Sequence, residues 1–280
     1  MLSLRLITGI PLALAAIWFV LTQSSDSILI ALIVIAAIAG WEWAGLAKAK
    51  TIGVRIFYGL VLSMTVWSAT QISLSLLVKI QLVTVLLWIA GVIYLSQVKT
   101  IKNQSSLSGI KLLLGVAVVV PAVAAMWMVH RFTLIGVSSA EWLLFGMSLV
   151  WVADIGAYFS GRKFGKNKLA VVLSPGKTRE GFYGAMFLTM LYSLLATVFY
   201  FDLNTTAVLQ TLLMTFVLTI LSVAGDLFES LLKRQAGVKD SGKILPGHGG
   251  VMDRIDSLTA TMSLFAVSTI YIYNLDLFLV

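Results

Sequence analysis

The chain has 280 residues, of which 59% are hydrophobic and only 11% are charged. Soluble domains carry roughly 25% charged residues, so this composition excludes a soluble protein and predicts an all-α, polytopic membrane protein. The 20 Lys and Arg residues outnumber the 12 Asp and Glu residues and give a net charge of +8, which is typical of basic loops that face anionic lipid or phosphate. Because the chain has no cysteine, disulfides, thiolate catalysis and cysteine-ligated metals are excluded.

Membrane-spanning helices need about 20 mostly apolar residues, and the sequence predicts nine such segments. In chain order they cover residues 4–22, 27–46, 56–71, 76–96, 110–129, 141–160, 183–201, 207–229 and 258–279. Ser73, Ser75 and Lys79 interrupt the apolar run between the third segment and the fourth. The first segment has no clear cleavage site for a signal peptidase, so we interpret it as a retained helix.

The basic residues predict how these helices are oriented. With the N-terminus in the cytoplasm, 18 of the 20 Lys and Arg residues fall on the cytoplasmic side, and only Lys79 and Arg131 fall outside. This asymmetry follows the positive-inside rule and predicts a cytoplasmic N-terminus and an external C-terminus. We expect about five helices in residues 1–135 and a catalytic part in residues 136–280 with two cytoplasmic loops, 161–182 and 230–257. The sequence has no linker between these parts, so they are predicted to form a single membrane unit.

Six acidic residues from four separate helices converge on the predicted cytoplasmic face. An ionisable residue in a spanning helix is costly and indicates function. These residues are Glu42, Asp154, Asp226, Glu229, Asp253 and Asp256. Asp226, Glu229, Ser230 and Lys233 are spaced to share one stripe of a helix.

Carboxylates from two helices beside basic loops suit Mg²⁺ and a polyphosphate, since Mg²⁺ takes a few protein oxygens and completes its shell with phosphate and water. The alternative is an interhelical salt bridge to Arg254. The pattern favours metal binding for Asp226 and Asp253 and leaves both interpretations open for Glu229 and Asp256. Glu42 lies between Trp41 and Trp43, which are typical of interfacial anchors, so a structural role is favoured there.

Two loops carry further candidate residues. The first is basic and glycine-rich, and could wrap phosphates with backbone N–H groups; Lys177, between a turn and a helix start, is its strongest candidate. In the second, residues 246–250 read Pro-Gly-His-Gly-Gly, which allows a ligand to approach the backbone closely. That loop leads to a helix start, where bound phosphate is favoured. For His248, a structural role and a ligand-binding role remain equally consistent with the sequence.

Residues 230–256 resemble the signature of the phosphatidate cytidylyltransferase family, the CDP-diacylglycerol synthases. The signature is S-x-x-K-R, then K-D, then P-G-H-G-G-x-x-D-R-x-D, and it matches here without a gap. The segment S-P-x-K-T-x-E-G from Ser174 to Gly181, the residues around Asp154 and the Trp-Glu-Trp at 41–43 are also similar to the family. Arg179 departs from the pattern, in which many relatives have an aromatic residue.

The resemblance implies a nucleotidyltransferase that converts CTP and phosphatidic acid to CDP-diacylglycerol and pyrophosphate in phospholipid biosynthesis. It implies a homodimer, with no nucleic-acid partner, in the bacterial cytoplasmic (inner) membrane with its active site facing the cytoplasm. Mg²⁺ would lie at Asp226 and Asp253, with a second cation such as K⁺ as a further candidate. The additional metal ligands would be Asp154, Ser230 and Asp256.

Catalysis is assigned to Asp226, Asp253, Lys177, Lys233 and Arg254. The predicted substrate-binding residues are Arg234, Lys239, Asp240, His248, Gly249, Gly250, Ser174, Tyr158 and Arg162. The lipid phosphate, already an anion, would attack the α-phosphorus of CTP directly and in line with the leaving pyrophosphate.

The residues by themselves, without the family resemblance, are also consistent with two other functions. A CTP-dependent lipid kinase would use similar groups but transfer the γ-phosphoryl group. A cation-coupled transporter would place its acids near the middle of the membrane and often has an internal repeat. In this sequence the acids gather at one face and no repeat is visible, which disfavours the transporter.

Overall fold

A computed structural model of the chain describes residues 2–132, 134, 136–244, 247 and 249–273. This part of the chain forms nine α-helices and one antiparallel two-stranded hairpin. The helices are α1 (Leu2–Thr22), α2 (Ser25–Leu46), α3 (Ile52–Ala69), α4 (Leu74–Gln97), α5 (Gly109–Arg131), α6 (Ser139–Phe164), α7 (Arg179–Leu195, extended by a π-helical turn, Ala196–Tyr200), α8 (Thr205–Ala236) and α9 (Met252–Ile272). The strands are β1 (Lys168–Ala170) and β2 (Ser174–Thr178).

Eight helices in the described residues, α2 to α9, are long and apolar enough to cross a membrane. Of α1, the stretch Pro11–Thr22 forms a shorter apolar segment. Ser73 caps the start of α4 by accepting a hydrogen bond of 3.4 Å from the N–H of Leu76, which ends the apolar run between α3 and α4. The predicted all-α, polytopic membrane fold is confirmed.

The two predicted inner loops are shorter than expected. α8 continues to Ala236, where Gly237 at φ +69° ends it in the left-handed conformation. Ser230, Lys233 and Arg234 are therefore helical. In the other loop, Lys168 pairs with Thr178 and Ala170 with Ser174 in the hairpin. Leu173 at its tip is 2% exposed in a small apolar cluster with Leu95 and Leu231, so apolar packing orders a segment that reads as a basic loop.

The last helix, α9, lies at the centre of the bundle and packs against α4, α5 and α8. The main hydrophobic core takes residues from both 1–135 and 136–280. α8 and α9 approach closely at Gly225, since a Cβ atom there would lie 2.6 Å from the backbone oxygen of Asp256. This approach brings the segment that begins at Asp226 against the first turns of α9, which carry Asp253 and Asp256.

Candidate active site

A polar cavity of about 530 Å³ opens at the end of the bundle that carries the hairpin, here called the hairpin side. Ligand sites commonly fall in the range of about 300–1,000 Å³. Four carboxylates from three helices line this cavity: Asp154 from α6, Asp226 from α8, and Asp253 and Asp256 from α9. Basic side chains of α6, β2 and α9 also line it, namely Arg162, Lys177 and Arg254. Basic groups that can contact phosphate and carboxylates that can hold a cation therefore line the same cavity.

On one wall of the cavity, Lys177 forms an ion pair with Asp226. Their Nζ and Oδ2 atoms lie 2.6 Å apart, and the two side chains are 25% and 31% exposed. Ser230, one turn further along α8, donates a hydrogen bond of 3.3 Å to the other oxygen of Asp226. Thr178 follows Lys177 and caps α7 by accepting a hydrogen bond from the N–H of Gly181. The hairpin and the helix start thus fix where the Lys177 backbone lies.

Asp253 is held more firmly, because both of its oxygens are engaged. Oδ1 lies 2.6 Å from Nζ of Lys233, which also pairs with Glu229 at 2.5 Å. Oδ2 accepts hydrogen bonds from the N–H of Gly250 at 2.8 Å and from both the N–H and the hydroxyl of Ser241 at 2.9 Å. With its side chain only 7% exposed, Asp253 lies in a fixed orientation at the edge of the cavity.

Glu42 of α2 helps to hold the segment that carries Asp253 in place. Its carboxylate is fully buried and accepts hydrogen bonds from the N–H groups of Val251 at 3.1 Å and Met252 at 2.8 Å. The hydroxyl of Ser241, which has one hydrogen to donate, lies 3.1 Å from Glu42 and 2.9 Å from Asp253. Glu42 therefore caps the N-terminus of α9, where backbone N–H groups would otherwise lack a partner.

These contacts correct two expectations from the sequence. The N-terminus of α9 was expected to favour bound phosphate. Instead, the backbone N–H groups of Val251 and Met252 donate to Glu42, and the backbone N–H of Gly250 donates to Asp253. Trp43 was interpreted as an interfacial anchor, yet it is 1% exposed and its indole N–H donates to the carbonyl of Lys111 at 2.7 Å. The structural role favoured for Glu42 is therefore helix capping inside the bundle.

The glycines of the second loop make room for these carboxylates. Gly249 has φ +81°, and a Cβ atom there would lie 2.6 Å from Oδ2 of Asp253. A Cβ atom on Gly250 would clash with the carboxylate of Glu42. The glycines thus allow close approach to the backbone, as the sequence suggested. The groups that approach it are the carboxylates of Asp253 and Glu42, and not a ligand.

The cavity brings together only some of the predicted substrate-binding residues. Tyr158 and Arg162 line it and are joined by a hydrogen bond of 2.8 Å. Lys233 lies behind Asp253, beside the buried Glu229. The remaining predicted residues in the described part of the chain do not line the cavity. They are Ser174, Gly249, Gly250, Arg234, Lys239 and Asp240, of which the last three are exposed. His248 lies outside the described residues.

Among the described residues, no three His, Asp or Glu side chains are grouped closely enough to hold a metal ion. The donor set nevertheless suits a hard divalent cation, because carboxylate and hydroxyl oxygens are the ligands that such ions take. Asp226 is the more open of the two expected ligands, since one ion pair and one long hydrogen bond engage it. Asp253 accepts four hydrogen bonds of 2.6–2.9 Å from three residues, Lys233, Ser241 and Gly250.

Sequence reasoning missed Ser241, whose hydroxyl joins Glu42 to Asp253. No periodicity marks it, because its partners lie 199 and 12 residues away along the chain. The neighbouring Lys239 and Asp240 of the signature were the only available signal. The role of Glu42 was hidden for the same reason.

A bundle of long apolar helices with carboxylates and basic groups around one cavity at its end suits an integral-membrane transferase that acts on phosphate groups. Comparison with known proteins identifies the family. Residues 3–272 match the cytidylyltransferase family, and the chain belongs to that family. The predicted resemblance and the predicted enzyme class, a nucleotidyltransferase, are confirmed.

Two of the relatives described here match almost the whole chain. The chain is similar to a phosphatidate cytidylyltransferase of Haemophilus influenzae, with 34% identity over 95% of this chain and 98% of the relative. It is similar to a phosphatidate cytidylyltransferase of Pseudomonas aeruginosa, with 36% identity over 95% and 96%. A phosphatidate cytidylyltransferase of Staphylococcus epidermidis is 46% identical over 45% of this chain and 48% of its own length.

Proposed function

We propose that this protein is a CTP:phosphatidate cytidylyltransferase, which transfers CMP from CTP to phosphatidic acid and releases pyrophosphate. The observation that carries the proposal is the single cavity that contains four carboxylates, Lys177 and two arginines at one end of a membrane bundle. A lipid headgroup and a nucleotide can meet only at a membrane face, and both are anions that need basic partners. The product, CDP-diacylglycerol, is a precursor in phospholipid biosynthesis.

The reaction is a direct in-line displacement. A phosphate oxygen of the lipid forms a bond to the α-phosphorus of CTP, while the bond from that phosphorus to the bridging oxygen of the β-phosphate breaks. The electron pair leaves with pyrophosphate. Because the attacking phosphate is already ionised at neutral pH, no general base is required, and the barrier consists largely of charge repulsion and positioning.

The side chains of the cavity divide this work. Arg162 and Arg254 form no ion pair with the described residues, so their charges are available to substrate phosphates. Lys177 is held by one ion pair and is partly exposed, so it can turn from Asp226 towards an arriving phosphate. Lys233 acts indirectly, because its ammonium lies 2.6 Å from Oδ1 of Asp253 and holds the orientation of that carboxylate.

Asp226 and Asp253 would hold Mg²⁺, with Asp154, Ser230 and Asp256 as neighbouring oxygen donors. Ammonium groups contact both Asp226 and Asp253 in the structure, which supports the view that these positions attract cations. When bound, the ion supplies positive charge that offsets the developing charge on the triphosphate. A second cation such as K⁺ is a further part of the proposal.

The membrane setting completes the proposal. The protein would lie in the bacterial cytoplasmic membrane as a homodimer, with the hairpin side and its cavity facing the cytoplasm, where CTP is available. The distribution of basic residues supports this orientation. The acyl chains of the lipid would enter sideways from the inner leaflet.

Analysis of the lipid product tests this function. Purified protein in detergent would receive phosphatidic acid, CTP and Mg²⁺, and the lipid extract would be analysed by mass spectrometry. We expect a lipid that is heavier by one CMP residue, and none when CTP or phosphatidic acid is omitted. A lipid heavier by one phosphoryl group would indicate the kinase, and an unchanged lipid would contradict both enzymes.

A further inference from the structure

A second cavity, of about 480 Å³, lies beside the polar cavity and is mostly apolar. It is a groove between the end of α4, the tip of the hairpin and the middle of α8, and is here called the hairpin groove. Its lining residues are Val92, Leu95, Ser96, Val98, Lys99, Leu169, Ala170, Val171, Val172, Leu173, Phe182, Ile220, Val223, Ala224 and Leu227. In this lining, only Ser96 and Lys99 carry polar side chains.

The hairpin groove and the polar cavity share one wall. Leu169, Phe182 and Val223 line both spaces. On α8, Val223 precedes Asp226 by three residues, which is about one helical turn. A molecule that lies across this wall would therefore place an apolar part in the groove and a charged part near Asp226 and Lys177.

One end of the hairpin faces the polar cavity and the other faces the apolar groove. Residues 176–178 line the polar cavity, whereas residues 170–173 line the groove. Val171 at the tip is 65% exposed, while Leu173 anchors the tip at 2% exposure. Exposed valine at this position is consistent with contact with lipid, because water would penalise that apolar surface.

The position of the groove along the helices suits the edge of the membrane interior. Its α4 residues lie in the last turns of that helix, beside Lys99. The exposed ammonium of Lys99 can reach the charged headgroup layer while its stem follows apolar surface. Both features are expected of a site for a lipid tail that enters from one leaflet.

We infer that the hairpin groove binds an acyl chain of the lipid substrate, with the lipid phosphate placed across the shared wall in the polar cavity. This inference rests on the proposed function and adds the site of the apolar part of the substrate. Acyl chains fit a groove of this composition because each methylene that leaves water adds binding free energy. Short-chain lipids, with fewer methylenes, would depend less on the groove.

A filled groove tests the inference through chain-length dependence. Val92→Trp should occupy part of the groove from α4, at a residue that does not line the polar cavity. For dioleoyl phosphatidic acid in detergent we expect KM to rise by about tenfold or more. For dihexanoyl phosphatidic acid, and for CTP, we expect little change in KM. Ile93→Trp is the matched control, because Ile93 is the next residue of α4, is 57% exposed and does not line the groove.

An equal effect of Val92→Trp on both lipids, or no effect on either, would overturn the assignment. If the unaltered protein produced no CDP-diacylglycerol from any lipid, the proposed function would fail first, so the two failures are distinguishable.

A binding measurement covers the case in which Val92→Trp does not fold. Phosphatidic acid with a photoreactive diazirine on one acyl chain should label the unaltered protein within residues 92–99, 169–173 or 220–227. Labelling only elsewhere, or crosslinks at the groove between two copies of this chain, would contradict acyl-chain binding.

Discussion

The buried carboxylate of Glu42 accepts a hydrogen bond of 2.8 Å from the backbone N–H of Met252, so a side chain of α2 caps the helix that carries Asp253 and Asp256. The two residues are 210 positions apart in the chain. The second helix is thus joined to the first turn of α9. The placement of the cavity carboxylates depends on this contact as well as on the helices that bear them.

Replacement of Glu42 should therefore affect both stability and activity. Glu42→Ala leaves buried N–H groups without an acceptor, which costs about 1–3 kcal/mol for each unsatisfied group. We expect a lower unfolding temperature in detergent and a lower kcat, because Asp253 loses its fixed position. Glu42→Gln should be milder, since an amide oxygen can still accept one of the hydrogen bonds. Thermal unfolding and CMP transfer would be measured on the same preparations.

A matched carboxylate at the opposite end of the bundle provides the control. Glu141 lies in the first turn of α6, where it accepts a hydrogen bond from Tyr200 at the surface. Glu141→Ala should leave transfer activity unchanged. An unaltered unfolding temperature for Glu42→Ala would refute the capping role.

The two central aspartates should be essential for turnover. Asp226→Asn and Asp253→Asn each replace an anionic oxygen by a neutral amide of the same shape. Loss of one electrostatic contact to a transition state typically costs about 10²–10³-fold in rate, and we expect at least this loss for each variant. Steady-state kinetics at saturating Mg²⁺ would measure it, with Asp26→Asn, on the exposed first turn of α2, as the control. Near-normal turnover of either variant would contradict the assignment.

Lys177 should contribute mainly to substrate binding. Lys177→Met removes the ammonium that lies 2.6 Å from Asp226 but keeps most of the side-chain volume. We expect a higher KM with a smaller change in kcat than for the aspartate variants. Lys168→Met, on the exposed start of the same hairpin, should leave both constants unchanged. A fall in kcat as large as that of Asp226→Asn, with KM unaltered, would place Lys177 in the chemical step instead.

The sequence predicted the parts of the fold that depend on local pattern. Long apolar runs gave the spanning helices, and the i, i+3 spacing of Asp253 and Asp256 fits their place on the first turns of α9. The contacts of Glu42 with Met252 and with Ser241 could not be predicted, because they join residues 210 and 199 positions apart. Nothing in a single sequence states which backbone N–H group a buried carboxylate will meet.

The hairpin was missed for another reason. Its glycine, proline and lysine residues are typical of a loop, and its strands are only three and five residues long. The burial of Leu173 against α4 and α8 orders it. Such tertiary packing overrides local propensity, which for strands depends strongly on context.

The predicted orientation in the membrane can be measured directly, since the chain has no cysteine of its own. Single cysteines at Gln71, between α3 and α4, and at Ser105, between α4 and α5, would be labelled in intact cells with an impermeant thiol reagent. The positive-inside asymmetry predicts labelling at position 71 and protection at position 105 until the cells are opened. Labelling of both positions from the same side would contradict the topology.

The phosphorus of CTP that enters the lipid distinguishes CMP transfer from phosphoryl transfer most directly. Purified protein would receive phosphatidic acid, Mg²⁺ and CTP labelled at either the α-phosphate or the γ-phosphate. The proposed displacement predicts α-label in the lipid fraction, γ-label in free pyrophosphate, no transfer with EDTA and no label on the protein. The presence of γ-label in the lipid would identify a kinase and contradict CMP transfer. The presence of α-label on the protein would contradict direct attack by the lipid phosphate.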